Sequence, residues 1–338
     1  MKFTSPIDLG NPNPERAFVS YIREFQPVAK DTLYSAPDKN VFSDFHRKKS
    51  TVYMIAKTKK MSFVIDSFRV IDDFCILGKV LVGGRTEDVM FNIAKLLFEK
   101  SGVTHKYDGW RSWADRVMSA WAIKEESHLS SSQKYRRGSR IDLDLSNETR
   151  LYIECMLYQS IGNGNTSRRV IVQPLDLAHM FDWYLLDDIE ILYVGKSKSS
   201  VLNRAINHNK WGEITTDLKS DEFAFVYFMD IEQSSIMKES LGPISLITNT
   251  TDDELDRDSI ALITEAALIK HFFSEEKYNR EIVSQDIIAV KSVREKLIER
   301  GYTALRVDLI LEGVFGVFGT KKTGITRSHI FQVPLKQL

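Results

Sequence analysis

Residues 183–197 read WYLLDDIEILYVGKS and predict two short β-strands joined by a turn at Asp187 and Asp188. Aromatic and β-branched residues favour strands, whereas Asp favours turns. A hairpin of this kind would bring Tyr184 and Tyr193 into one region of a small sheet.

Two helices are predicted after this hairpin. The first covers residues 198–213, KSSVLNRAINHNKWGE, where Arg204 and His208 are four residues apart and share a face. The second covers residues 259–273, SIALITEAALIKHFF, with Glu265 as the one carboxylate in its apolar first half. A carboxylate in such surroundings loses hydration unless a cation or a hydrogen-bond donor meets it. Glu265 is therefore a candidate metal ligand, and the alternative is a partly exposed glutamate paired with a nearby lysine.

Three segments in this part of the chain resemble the GIY-YIG nuclease superfamily. They are YVGKS at 193–197, RAINH at 204–208 and TEAALIKHFFSEEKYN at 264–279. The resemblance covers roughly residues 178–282, which is under a third of the chain. It implies a small domain with a three-stranded antiparallel sheet flanked by helices.

The resemblance also implies a role for each matching residue. Tyr193 matches the tyrosine of the second signature, and Gly195 matches its glycine at a turn where a side chain would crowd the backbone. Arg204 matches the catalytic arginine, and Glu265 matches the metal-binding glutamate.

Further positions match less closely. His208 falls where many members have a histidine or a tyrosine, and Asn279 matches a late asparagine, although an asparagine here could also only cap a helix. The first signature, Gly-Ile-Tyr, is not present as such, and Tyr184 is its nearest candidate. The proline that often precedes the late asparagine is replaced by Ser274 and Glu275.

The chemistry implied is hydrolysis of a phosphodiester with one metal ion and no covalent intermediate. Arg204 would hold a non-bridging phosphate oxygen, and Glu265 would hold Mg²⁺ or Mn²⁺. Tyr193 would orient or deprotonate the attacking water with help from a neighbouring polar group. The candidates for that group are Tyr184, His208 and Lys196.

The expected fold class is α+β, with three parts. Residues 1–175 form a strand-rich module that is the candidate for substrate recognition, and residues 176–285 form the GIY-YIG-like core. Residues 286–338 supply a C-terminal helix and strands that pack on one of the two.

Local patterns give more detail for the first module. AFVSYIREF at 17–25 predicts a short helix, and three runs between 51 and 84 predict an antiparallel meander of strands. Thr86, followed by acidic residues, is a suitable N-cap for a helix reaching Lys100.

Basic side chains in the first module are candidate contacts to nucleic acid. Residues 1–180 hold 27 Lys and Arg against 21 Asp and Glu, and residues 181–338 hold 19 against 25. The segment from 128 to 140 is expected to be an exposed loop, in which Tyr135 could stack on a base. The alternative is a solvated loop without a ligand. The candidate nucleic-acid-binding residues are Lys134, Arg136, Arg137, Arg140, Arg168 and Arg169.

Composition narrows the class of protein. The chain of 338 residues is 43% hydrophobic and 27% charged, as in globular proteins, and no apolar run is long enough to cross a membrane. With only two cysteines, Cys75 and Cys155, a disulfide framework and a thiolate zinc site are excluded. A cytoplasmic location is expected because the N-terminus has no apolar signal segment.

The sequence thus predicts a metal-dependent endonuclease acting on DNA in a restriction or anti-phage setting. RNA is not excluded as a substrate, and cutting both strands with one site per chain would suggest a homodimer. The alternative interpretation is a catalytically degenerate GIY-YIG-like module that binds nucleic acid or protein.

Overall fold

A computed structural model describes most of the chain. The described residues are 15–30, 33, 52–100, 103–120, 124–159, 168–197, 201–241, 244–251, 255–273, 278–279 and 284–338. Ser274 and Glu275, the departure from the family pattern, lie outside them. The chain divides into two compact units: Met1–Thr58 with Asp187–Leu338, and Lys59–Leu186.

The described residues form strands and helices throughout both units. The strands are β1 (Glu15–Ala29), β2 (Val52–Lys59), β3 (Met61–Val70), β4 (Cys75–Val82), β5 (Arg85–Asn92), β6 (Ser139–Ile141), β7 (Leu151–Cys155), β8 (Arg169–Val172), β9 (Ile189–Lys196), β10 (Glu222–Leu241), β11 (Ile244–Thr250), β12 (Ala304–Ile310), β13 (Phe318–Thr320), β14 (Gly324–Thr326) and β15 (Ser328–Pro334). The helices are α1 (Ile93–Lys100), α2 (Gly109–Ser119), α3 (Ser131–Gly138), α4 (Met156–Gln159), α5 (Pro174–Met180), α6 (Val201–Ile206), α7 (Trp211–Asp217), α8 (Arg257–Phe272) and α9 (Ser284–Glu299).

The first unit is built on a nine-stranded sheet in the order β14-β13-β9-β2-β10-β1-β12-β15, with β11 paired to β10. The predicted fold class, with its small three-stranded sheet, is therefore wrong. Strands β9, β2 and β10 are neighbours, but β1 and β12 extend the sheet on one side and β13 on the other. These partners come from distant parts of the chain, so patterns within residues 176–285 could not indicate them.

Strand β1 replaces the helix predicted over residues 17–25. It pairs antiparallel with β10 and parallel with β12, so both of its edges are hydrogen-bonded. Phe18, Val19 and Ser20 are consecutive and all buried, as expected for a strand inside a large sheet. A short apolar run of this kind does not distinguish a strand from a helix by periodicity.

The second unit contains two three-stranded sheets, β3-β4-β5 and β6-β7-β8. The predicted meander is confirmed for β3 and β4, whereas β2 joins the sheet of the first unit. The helix predicted from Thr86 is wrong over its first half, because Arg85–Asn92 pairs with β4 and only Ile93–Lys100 is helical.

Helix α3 occupies the segment that was expected to be a loop. The Ser130 side chain accepts a hydrogen bond from the backbone of Gln133, whose side chain accepts one from Ser130 in return. This capping box starts the helix despite its polar composition. None of the helices in the described ranges has the length and apolar character needed to cross a membrane.

Candidate active site

A cleft of about 610 Å³ in the first unit is lined by most of the site residues predicted between Tyr193 and Asn279. Tyr193 and Lys196 reach it from β9, Arg204 from α6, Glu265 from α8, and Asn279 from the segment after α8. Its described lining holds six basic residues and one acidic residue, Glu265. The basic residues are Lys196, Arg204, Lys210, Lys270, Lys291 and Arg294.

Helices α8 and α9 each present one face to the cleft. On α8 the lining positions run from Leu262 through Glu265 and Ile269, at spacings of three and four residues. On α9 they are Ile287, Val290, Lys291 and Arg294, again three and four residues apart. Helix geometry therefore places Glu265 and the α9 cations on walls of the same cleft.

Two tyrosines and a histidine form a tight aromatic cluster beside the cleft. The rings of Tyr53 and Tyr193 have centroids 5.9 Å apart, and the ring of His208 lies 4.3 Å from that of Tyr193 and 6.0 Å from that of Tyr53. Tyr53 comes from β2, which the antiparallel β2–β9 pairing places opposite Gly195.

The polar atoms of this cluster are incompletely satisfied. The Tyr53 hydroxyl and His208 Nε2 are buried and make no hydrogen bond of good geometry. His208 Nδ1 accepts a hydrogen bond from the backbone N–H of Lys210 at 3.1 Å, so the proton of the neutral ring is on Nε2. Buried groups without partners are rare in proteins, and each calls for a bound water, a ligand or a catalytic role.

Gly195 is required by packing and not by a turn. It lies inside β9, and a Cβ at this position would be 2.6 Å from Tyr193 Cε1 and 2.7 Å from both Cζ and Oη of Tyr53. Any side chain would displace the two rings. The turn expected at Gly195 is therefore not found, and the glycine instead allows the two tyrosines to approach each other.

The environment separates the three titratable groups of the cluster. Burial raises the pKa of Tyr53 well above its usual value, with a further rise from Tyr193. Burial and the Glu265 carboxylate also raise the pKa of Tyr193, while the Tyr53 hydroxyl, Arg204 and Lys196 act to lower it. Burial, followed by the charges of Arg204 and Lys210, lowers the pKa of His208 to about 4. At neutral pH Tyr53 is therefore a proton donor and His208 is uncharged.

Glu265 and Lys196 form an ion pair across the cleft. Lys196 Nζ is 3.2 Å from Glu265 Oε2, and the two side chains are only 15% and 16% exposed. The requirement for a cation near the buried carboxylate is thus met by Lys196. Arg204 makes no ion pair within the described part of the chain and acts on Tyr53, Tyr193 and His208 through its charge.

Asn279 supports the site through the backbone of β9. Its Oδ1 accepts a hydrogen bond from the Val194 N–H at 3.2 Å, and its Nδ2 donates one to the Val194 carbonyl at 2.6 Å. The Asn279 amide therefore pairs with the backbone of β9 as a neighbouring strand would. It holds Val194, the residue next to Tyr193, in place.

Tyr184 was the candidate for the first-signature tyrosine. It lies in the other unit, outside any strand, and its side chain is 57% exposed. The hairpin predicted at Asp187 and Asp188 is wrong because the residues from 183 to 188 do not form a strand. Tyr53 is the tyrosine that adjoins Tyr193 instead. The signal that could have found it is the run TVYMI at 51–55, a Tyr preceded by a β-branched residue at the start of a strand.

The predicted nucleic-acid contacts lie in the second unit, and several of their charges are neutralised. Arg136 pairs with Asp72, Arg137 with Glu126, Arg140 with Glu154, and Arg169 with both Asp142 and Glu154. Tyr135 is buried, with its ring 5.1 Å from that of Phe74, so it is not available to stack on a base. Arg168 is exposed and Lys134 is half-buried.

The donor set of the cleft limits the metal that it could hold. Within the described ranges, no group of three or more His, Cys, Asp or Glu side chains is arranged to bind a metal ion. Glu265 is the one carboxylate among the described lining residues. A single carboxylate suits Mg²⁺, which keeps several waters and takes further oxygens from substrate phosphates. Zinc, which prefers several nitrogen and sulfur ligands, does not fit.

Comparisons with known proteins do not assign the chain to a family: no protein-family model, curated protein or solved structure matches it.

Proposed function

We propose that the chain is a metal-dependent endonuclease that hydrolyses phosphodiester bonds in DNA, with the cleft as its active site. The observation that carries the proposal is the composition of this cleft, whose described lining contains Tyr193, six basic side chains and one acidic side chain. Such a surface suits a phosphate-bearing ligand. A cytoplasmic, DNA-directed enzyme that works as a homodimer in a restriction or anti-phage setting belongs to the same proposal.

The resemblance to GIY-YIG nucleases supports this proposal at the level of residues. Tyr193, Gly195, Arg204 and Glu265 match the family pattern in order, and we propose that Tyr53 takes the place of the first-signature tyrosine. Tyr53 precedes β9 by far more residues than a hairpin allows, because the whole Lys59–Leu186 unit lies between the two strands.

Each side chain then has a chemical role. Arg204 holds a phosphate oxygen, since a guanidinium binds phosphate in a planar fork. Tyr193 loses its hydroxyl proton to solvent, and the resulting phenolate orients the attacking water and accepts the water's proton. Tyr53 donates a hydrogen bond that favours this phenolate. Lys196 stabilises that phenolate by its charge. Glu265 would hold Mg²⁺, which neutralises charge on the phosphate and the leaving oxygen.

A cleavage assay tests this function. Purified protein is incubated with duplex DNA, single-stranded DNA and RNA, in Mg²⁺, Mn²⁺ or EDTA. We expect metal-dependent cleavage that falls about 10²-fold or more in Arg204→Ala and Glu265→Gln. Glu299→Gln and Lys296→Ala on α9 change exposed residues outside the described lining, so they are matched controls and should cleave like the wild type. Full cleavage by Glu265→Gln would contradict the assignment.

A second candidate function is favoured by the ion pair between Lys196 and Glu265, which satisfies the carboxylate without a metal. In that case the cleft binds nucleic acid or protein and does not cleave. Thermal unfolding with and without Mg²⁺ distinguishes the two, because an ion that binds only the folded state raises the midpoint. A Mg²⁺-dependent rise that is lost in Glu265→Ala supports the nuclease, and its absence supports the binding module.

A further inference from the structure

We propose that Lys291 and Arg294 on α9 form a second phosphate subsite, which holds a neighbouring phosphate of one single-stranded segment of the substrate. The inference rests on the proposed function and extends it by stating the substrate class. The ligand would be a polynucleotide strand with at least two phosphates in the cleft, and not a mononucleotide or a small diester.

Charge counting gives the first argument. The described lining has six basic side chains, and carboxylates pair with three of them: Glu265 with Lys196, Glu213 with Lys210 and, at 3.9 Å, Glu295 with Lys291. A phosphodiester carries one negative charge, so a single phosphate at Arg204 leaves the charges of Lys270 and Arg294 unmatched. A strand with successive phosphates would balance them.

Arg294 gives the second argument. Its Nε is buried and makes no hydrogen bond, although the residue lines the cleft. A buried donor without a partner is unfavourable, and a rotation of the guanidinium towards a phosphate in the cleft would give it a charge-assisted hydrogen bond. Lys291 lies on the same face of α9, three residues earlier. Its contact to Glu295 is long, 3.9 Å, and both side chains are more than half exposed, so the pair is easily exchanged for a phosphate.

The shape of the cleft gives the third argument. Its volume of about 610 Å³ suits a ligand of a few ring systems and is far too small for a double helix. Along α9 the apolar lining residues Ile287 and Val290 precede the cations Lys291 and Arg294, and Ile287 is 58% exposed. Apolar surface beside phosphate-binding groups suits the bases of a single strand, and Phe273 in the same lining offers an aromatic ring for stacking.

The test compares a labelled twelve-nucleotide single strand with bis(4-nitrophenyl) phosphate, which has one phosphate. The Kd of the strand is measured by fluorescence anisotropy in EDTA over a series of salt concentrations, and hydrolysis of both substrates is measured with Mg²⁺. For Arg294→Ala we expect about tenfold weaker binding of the strand and a salt slope smaller by about 0.7, the value for one single-strand phosphate contact. Lys291→Ala should have the same effect. Hydrolysis of the small diester should be unchanged.

Two further variants separate charge from folding. Lys296→Ala removes a cation from α9 at a position that is not among the described lining residues, and it should bind like the wild type. Arg294→Lys keeps the charge and should keep the salt slope.

An unchanged salt slope in Arg294→Ala, an equal loss on the one-phosphate substrate, or no binding of the strand by the wild type would overturn the subsite. If the wild type hydrolyses neither substrate while Arg294→Ala still loses salt slope, the nuclease function fails and the subsite stands.

Discussion

Tyr53, Tyr193 and His208 share one cluster but are affected by different neighbouring charges. Burial keeps Tyr53 protonated, while Tyr193 receives the opposing effects of Glu265 and of the cations Lys196 and Arg204. The pKa values of both tyrosines are raised, but the hydrogen bond from Tyr53 and the charges of Arg204 and Lys196 act to lower that of Tyr193. In the proposed reaction Tyr53 is therefore the hydrogen-bond donor and Tyr193 the group that ionises.

Removing the Tyr53 hydroxyl should uncouple stability from activity. We expect Tyr53→Phe to raise the free energy of unfolding by about 1 kcal/mol, because a buried hydroxyl without a partner is removed. The same change should lower the rate of phosphodiester cleavage about 10²-fold, since the phenolate that forms on Tyr193 during the reaction would have no hydrogen-bond donor beside it. Urea unfolding and a cleavage assay measure the two effects. A loss of stability in Tyr53→Phe would mean that the hydroxyl has a structural partner.

His208 predicts a pH dependence of stability. Its pKa is about 4 in the folded chain and near 6.5 when unfolded, so the unfolded state binds more protons between these values. Stability from this residue is therefore fully present above about pH 6.5 and is lost as the pH falls towards 4. We expect the thermal midpoint of the wild type to fall over this range more steeply than that of His208→Gln. Parallel curves for the two proteins would contradict the assignment.

The sequence predicted part of this site. Tyr193, Arg204 and Glu265 line one cleft, as their order and spacing indicated. Tyr53 was missed, because a strand partner far away in the sequence leaves no local pattern, and Tyr184 was chosen only because it is nearby. The α9 cations were missed for a different reason. This helix has cations at several positions, and its sequence does not indicate which of them line the cleft.

At the scale of elements, the contact between β2 and β9 determines the geometry of the cluster. Tyr53 lies opposite Gly195 in the antiparallel register, and the missing Cβ gives both tyrosine rings their space. Helix α8 and the Asn279 amide hold β9 from other directions. Helix α8 was predicted closely, over 259–273 against the observed Arg257–Phe272, and α9 (Ser284–Glu299) is the helix expected in the C-terminal part. The segments of β1 and β5 were wrongly predicted as helices, because their apolar residues are compatible with either a helix or a strand. Only the pairing with strands from other parts of the chain makes them strands.

The two glycines at 195 and 212 make a matched pair for testing this packing. Gly195→Ala should reduce the free energy of unfolding by about 1–3 kcal/mol, because the added Cβ overpacks the tyrosine rings. In α7, Gly212→Ala should instead increase it by about 0.5–1 kcal/mol, since a Cβ there meets nothing within 4 Å and Ala favours the helix. Chemical denaturation measures both variants. Equal effects at the two positions would show that the rings can move at little cost.

At the scale of the whole molecule, the distribution of charge along the sequence is a poor guide to its distribution in space. The acidic half of the chain, residues 181–338, supplies all six cations of the cleft. Arginines of the basic half are largely paired with carboxylates of the same unit. Net charge by segment therefore does not indicate which side chains line the cleft, because folding brings together charges that the sequence separates.

The division of the chain predicts that the first unit can fold alone. Thr58 Oγ1 donates a hydrogen bond to Asp188 Oδ1 at 2.6 Å, and Lys57 pairs with Glu190 across β2 and β9. Replacing residues 60–187 by Asn-Gly would close these strands with a two-residue turn. We expect this chain to unfold cooperatively and to retain hydrolysis of a small phosphodiester. Circular dichroism and the assay measure both, and a chain without cooperative unfolding would show that the first unit needs residues 60–187.

The position of the second unit also has a consequence during protein synthesis. β1 and β2 are made first, but their partners β9, β10 and β12 all lie beyond residue 188. At about 5–20 residues per second, a ribosome needs on the order of ten seconds to reach β9. During this time the backbone N–H and C=O groups of two strands remain unpaired, and such groups can pair with another chain and lead to aggregation. The yield of native protein therefore depends on translation speed and on chaperones that protect the nascent N-terminal strands.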